Sequence, residues 1–291
     1  MINPYNTTIM KKLFHSTLPA VAIALASWLL PTFSFATVEV DGLFYNLNNA
    51  NKTAVVAPGA DKGIQFVTIP ETITCEGLTY TVTAIADTAF LDCHVLNSVE
   101  IKSHSLTRIG FSAFERCWNL ANLVLVEGVE TFNYEAFKDC DQLTFVTLPS
   151  TLKHIGGRSF MGCDNLTRIN IPANVTYLGD KWVSGSPLEV LFAESETPLE
   201  IMEEVFEGLD KQSCILSVPV GSKEAYQNAE VWKDFLIIED YDPGQGETTA
   251  IETIRESSAS SSQIFDLQGR RLNNASRHSI LIENGRKRIQ W

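Results

Sequence analysis

Positive charge is scarce in this chain. Its 22 lysines and arginines face 35 aspartates and glutamates, a net charge of −13. Lys11 and Lys12 lie near the start, and residues 243–291 hold seven basic against five acidic residues, which leaves residues 37–242 at −17. A surface of that sign repels phosphate backbones and excludes nucleic acid as a partner. Membrane-length apolar runs are missing too. The run from Leu18 to Leu30 has 13 residues, against the roughly 20 a spanning helix needs. Set between Lys11-Lys12 and the small residues Ser34 and Ala36 of Ser34-Phe35-Ala36, it reads as a secretory signal peptide over 1–36. No transmembrane segment is expected after its removal. Catalytic patterns are equally absent: there is no G-x-S-x-G, H-E-x-x-H, C-x-x-C or phosphate loop. The five histidines are scattered, with no partner set around them. Neither an enzyme nor a cofactor is indicated. The acidic stretch ESETPLEIMEEVFEGLD, 194–210, lacks the Asp/Asn-rich loop with a central glycine that calcium requires. It reads as an amphipathic segment with a solvated acidic side.

What the chain does have is one phrase written repeatedly. AFLDCHVL (89–96), AFERCWNL (113–120), AFKDCDQL (136–143) and SFMGCDNL (159–166) share phenylalanine, cysteine and leucine at fixed offsets. Aligned on the aromatic, Phe90, Phe114, Phe137, Phe160, Trp182 and Phe206 are spaced 24, 23, 23, 22 and 24 residues apart. Cys93, Cys117, Cys140 and Cys163 follow three residues later, with Gly185 in the fifth copy. A short alternating strand comes next: Val99 and Ile101, Leu123 and Leu125, Val146 and Leu148, Ile169 and Ile171. Ile85, Ile109, Phe132, Ile155 and Leu178 close each turn on a return leg. One such unit cannot bury its own apolar edge, whereas stacked units bury a continuous column. Phe90, Cys93, Phe114, Cys117, Phe137, Cys140, Phe160, Cys163 and Trp182 are therefore a structural ladder. The cysteines run parallel along it, which favours buried free thiols over bridges, and a linear ladder offers no tetrahedral zinc site. Cys75 and Cys214 lie near opposite ends of the stack.

The pattern I-x-x-x-A-F-x-x-C-x-x-L-x-x-V-x-I-P, clearest over Ile109–Leu125 and Ile155–Pro172, resembles the BspA-like leucine-rich repeat family of bacterial surface and secreted proteins. The resemblance implies a β-rich leucine-rich repeat solenoid with one short strand per 22–24-residue coil, a β-hairpin N-cap and a helical C-cap. VEVDGLFYNL (38–47) and ITCEGLTYTVTAI (73–85) resemble the family's entry, and VPVGSKEAYQNAEVWKDF (218–235) its exit, a helix for which Ser222 can serve as N-cap. The organisation expected is a signal peptide (1–36), an N-terminal β cap (37–81), the solenoid (82–217), a helical cap (218–240), a flexible linker (241–262) and a small β tail (263–291). The tail, notably Phe265–Arg271 and Asn284–Lys287, resembles a type IX secretion sorting module. It is shorter than such modules and has His278-Ser279 where their glycine stands.

The outward positions of the strands are free of any core requirement. Ser98, Asn122, Phe145 and Arg168 form one row, and Glu100, Val124, Thr147 and Asn170 the next. They are the candidate binding residues, because repeat proteins use this extended surface and exposed aromatic and arginine side chains dominate interfaces. The resemblance implies a protein-binding or adhesion module, secreted or on the outer surface of a Gram-negative bacterium, whose partner is a host or bacterial surface protein or a glycan. The alternative is a structural component of a surface assembly that binds endogenous envelope proteins.

Overall fold

The computed structural model describes residues 36–241 and four further strands, Ile264–Phe265, Arg271–Leu272, Ile280–Glu283 and Arg286–Ile289. The expected signal peptide and linker fall outside the described residues, save for their border residues Ala36 and Tyr241. The four tail strands pair antiparallel, with Ile264–Phe265 between Arg271–Leu272 and Ile280–Glu283.

Alternation of apolar and polar residues sets the first elements: β1 (Ala36–Val40), β2 (Leu43–Asn48) and β3 (Thr53–Ala57), a meander that buries Leu43, Tyr45 and Leu47 on one side. β4 (Phe66–Ile69) follows, then the hairpin of β5 (Thr72–Cys75) and β6 (Leu78–Ile85). From there each coil gives one strand to the front of the stack and one to the return leg. In chain order these are β7 (Ser98–Ile101), β8 (Arg108–Ile109), β9 (Asn122–Val124), β10 (Thr131–Phe132), β11 (Phe145–Val146), β12 (His154–Ile155), β13 (Arg168–Ile171), β14 (Tyr177–Leu178) and β15 (Val190–Ala193). β16 (Ile215–Pro219), the short helix α1 (Lys223–Asn228) and β17 (Ile237–Tyr241) complete the described body.

The return strands β6, β8, β10, β12 and β14 stack in parallel and join β1–β3 in one sheet. The front strands make two sheets, β4-β7-β9 and β11-β13-β15-β16-β17. Between them a rung is missing. Asn122 N–H donates to Asn97 O, Thr167 N–H to Thr144 O, and Val190 N–H to Thr167 O, but among the described residues neither Thr144 nor Phe145 N–H reaches Ala121 O. Leu123 and Leu125, expected to be buried, are only half-buried at this opening. Parallel pairing of β4 with β7 also places the first front strand at Phe66–Ile69, ahead of residue 82.

Inside the stack, four coils share one column. Phe90, Phe114, Phe137 and Phe160 stack with near-parallel rings at 5.0, 5.2 and 5.2 Å. The thiols of Cys117, Cys140 and Cys163 each donate to the carbonyl of the phenylalanine one coil back, at 3.2, 3.3 and 3.3 Å. All six cysteines are free. Burial pushes the Cys117, Cys140 and Cys163 thiols far up, and the Cys214 thiol up to about 12. Because the reactive species is the thiolate, a thiol reagent at pH 8 is expected to label at most the half-exposed Cys75 in the native protein, and all six cysteines after unfolding. Fast labelling of more than one native thiol would contradict this burial.

The fifth coil departs from the alignment made on aromatics. Phe90, Phe114 and Phe137 N–H groups donate to Ala113, Ala136 and Ser159 O, and Phe160 N–H donates to Trp182 O. Trp182 thus occupies the alanine column, and Val183 stands where a phenylalanine is expected. The left-handed backbone column agrees: Thr88, Ser112, Glu135 and Arg158 are followed by Lys181, two residues before Val183. Both Trp182 and Val183 are fully buried, so the indole supplies the missing aromatic volume from next door. The cysteine position moves as well. Ser186, not Gly185, takes it, and its hydroxyl donates to Phe160 O at 2.9 Å as a thiol would.

The C-terminal end is closed by packing more than by a long helix. Trp232 and Phe235 meet Phe206 edge-on at 5.1 and 5.2 Å, and β17 adds a last parallel strand beside β16. The Ser222 side chain makes no cap hydrogen bond; its carbonyl accepts from Tyr226 N–H at 3.2 Å.

Candidate functional site

The front strands fix which residues share a row, because parallel register places equivalent positions side by side. Ser98 pairs with Asn122 and Glu100 with Val124 on one side of the opening, and Phe145 pairs with Arg168 on the other. Phe66 extends the first row at its N-terminal end. Phe66, Val124 and Phe145 are 43%, 43% and 52% exposed, so the face offers apolar side chains to solvent on both sides of the missing rung. Thr147 is exposed, Ser98, Glu100 and Asn122 are half-exposed, and Glu100 holds Lys102 at 3.1 Å.

Arg168 is the unusual charge on this face. The other three arginines between residues 37 and 242 are ion-paired: Arg108 with Asp87, Arg116 with Asp92 and Glu115, and Arg158 with Glu135 and Asp180. Arg168 has no such pair among the described residues, and its Nε is buried without a hydrogen-bond partner. A guanidinium with unspent donors beside an exposed phenylalanine can give a partner both apolar contact and a forked hydrogen bond.

Asn170 does not belong to the open surface. It is buried, and its amide is fully engaged: Oδ1 accepts from Leu148 N–H at 2.7 Å, while Nδ2 donates to Leu148 O at 3.1 Å and to Glu194 Oε1 at 2.8 Å. The side chain thus mends the ladder where β11 stops short of Leu148. Phe192, next to Asn170 in the row, was not singled out by sequence reasoning. It lies edge-on to Tyr241 at 5.9 Å, and the alternation in VLFAE was its only signal. No set of three or more His, Cys, Asp or Glu side chains among the described residues is arranged to hold a metal ion.

A model of the BspA-type leucine-rich repeat region matches residues 64–211 in six copies. The chain belongs to this family. Its six copies begin at the segment carrying β4, in keeping with the register of the first front strand. Among solved structures, this BspA-type protein is similar to the leucine-rich repeat protein of T. pallidum, at 21% identity over 67% of this chain and 99% of that one, TM-score 0.49. It is also similar to a leucine-rich cell-surface protein of Faecalibacterium prausnitzii, at 18% identity over 71% and 73% of the two chains, TM-score 0.42. A leucine-rich repeat protein of Bacteroides capillosus gives 26% identity over 55% and 99%, TM-score 0.39. No curated protein matches the chain. No helix among the described residues of this repeat protein is long and apolar enough to cross a membrane.

Proposed function

We propose that this BspA-type protein is an exported adhesion module that binds a protein or glycan of a host or bacterial surface through its front strands. The observation that carries the reading is the register-matched pair of exposed Phe145 and unpaired Arg168. Membership in a repeat family of surface proteins supports a binding role, and fold alone does not name the partner. In this reading residues 1–36 direct export and the tail strands serve sorting or anchoring at the outer surface of a Gram-negative cell. Ser98, Glu100, Asn122, Val124 and Thr147 shape the periphery of the contact.

The test is a binding screen of the 37–242 fragment against extracellular-matrix proteins, surface receptors and glycans, run beside a Phe145→Ala/Arg168→Ala variant. Truncating a hot-spot pair of this kind costs on the order of 2–4 kcal/mol, so affinity is expected to fall at least about 30-fold. Thermal unfolding should stay unchanged, since neither side chain belongs to the column. Failure to bind any foreign ligand, with co-purification of envelope proteins from the same cell, would replace adhesion with a role in an endogenous surface assembly.

A further inference from the structure

A recess lies beyond the front rows. It is a cleft of about 460 Å³ between the C-terminal ends of β13 and β15, the segment that follows β15, and the aromatic residues of the C-terminal end. Ile171, Pro172, Val175, Leu199, Tyr226 and Trp232 give it apolar walls. The polar tips of the two aromatics are already used: Tyr226 OH donates to Ser195 O at 2.9 Å, and Trp232 Nε1 donates to Leu199 O at 2.8 Å. These two bonds tie the 195–199 segment to the C-terminal end, and both aromatics are themselves buried beneath the cleft. Its volume lies in the range of sites that enclose a side chain or small ligand.

The charge in this apolar recess has one sign. Glu194 and Glu200 line it, and no lysine, arginine or histidine does. Glu194 is half-buried, and Asn170 Nδ2 at 2.8 Å is its one side-chain donor. Burial raises its pKa, with hydrogen bonds from the Asn170 side chain and the Ala173 backbone pulling the other way. Glu196, Glu203 and Glu204 follow along the same stretch of chain, and among the described residues none of these five glutamates makes a salt bridge with a basic side chain. A carboxylate held in apolar surroundings without a counter-ion gains most from a cation that tolerates desolvation. Guanidinium does so better than ammonium, being weakly hydrated and able to fork onto a carboxylate. A neutral occupant would bring no counter-charge to the two carboxylates, and an anion would be repelled.

We propose that this cleft receives an arginine side chain of a partner protein, its stem against Pro198 and Leu199 and its guanidinium on Glu194 and Glu200. The site goes beyond the front-strand reading and does not depend on it.

The probe is acetyl-Ala-Arg-Ala amide, compared with the same tripeptide carrying citrulline, which keeps the shape and loses the charge. Titration into the full chain is followed by the Trp232 indole N–H resonance, identified by its loss in Trp232→Phe. The arginine peptide is expected to shift it saturably, and the citrulline peptide to bind at least about tenfold more weakly, as loss of a charged hydrogen bond predicts. Glu194→Gln should weaken the arginine peptide by a similar factor. Glu200→Gln, at an exposed position outside the packing, should weaken it by about two- to fivefold, and it decides the matter if Glu194→Gln disturbs the fold. The Phe145→Ala/Arg168→Ala variant should bind this peptide as the wild type does. Equal binding of the two peptides, or no saturable shift at millimolar peptide, would overturn the proposal.

Discussion

Truncation of Phe137 to alanine is expected to remove about 3–5 kcal/mol of stability, the cost of losing a large core side chain that its surroundings cannot replace. The ring is fully buried. It stacks between Phe114 and Phe160 at 5.2 Å on either side and takes the edge of Phe132 at 5.3 Å. Collapse around the gap is resisted because each neighbour is fixed by its own coil: Phe137 N–H donates to Ser159 O, and Phe114 N–H to Ala136 O. Urea unfolding followed by far-ultraviolet circular dichroism measures the loss. Phe145→Ala is the matched control. The same side chain is removed at a position 52% exposed, where a change within about 0.5 kcal/mol is expected. Similar losses for the two variants would mean that the ring column is not what holds the coils together.

The contrast between these two phenylalanines shows what the sequence could reveal. Phe114, Cys117 and Leu120 were legible because a 23- or 24-residue period repeats one environment, and one environment selects one residue type. The front rows were legible for the same reason, since register follows from the period. Legibility failed where a residue answers to a local need instead. Trp182 is aromatic and one residue from the column, so an alignment on aromatics absorbed it, while the left-handed column at Arg158 and Lys181 places it correctly. The glycines at 162, 185 and 208, spaced by 23, carried that correction in the sequence. Asn170 reads as outward from alternation alone. Its burial depends on Leu148 lacking a backbone partner and on Glu194 lying over it, neither of which is a property of its own strand. The acidic cleft is less legible still. Its walls come from Ile171–Val175, the 193–200 segment, Tyr226 and Trp232, which are far apart in the chain and follow no common period.

The same dependence on close stacking makes a single methyl group costly at Gly128. Its φ of +120° lies outside the regions that side-chain-bearing residues adopt. A Cβ placed there would also lie inside the van der Waals envelope of the His104 carbonyl one coil back. The backbone cannot move aside easily. Gly128 N–H donates to Thr151 Oγ1 at 2.9 Å on the next coil, and Glu130 N–H donates to Thr107 O at 2.9 Å on the previous one. Gly128→Ala is therefore expected to destabilise by about 2–6 kcal/mol, from backbone strain of ~1–3 kcal/mol together with overpacking of ~1–3 kcal/mol. Gly77→Ala separates the two causes. Gly77 has a φ of +77° and open space around the methyl that alanine would add, with no atom within 4 Å of it, so only the left-handed penalty of roughly 1–2 kcal/mol applies. Hydrogen exchange of the Glu130 and Thr131 amides locates the damage, because both donate to Thr107 O across this junction. Equal losses at Gly128 and Gly77, with those amides still protected, would show that the coils can part by a methyl's width without unzipping the return ladder.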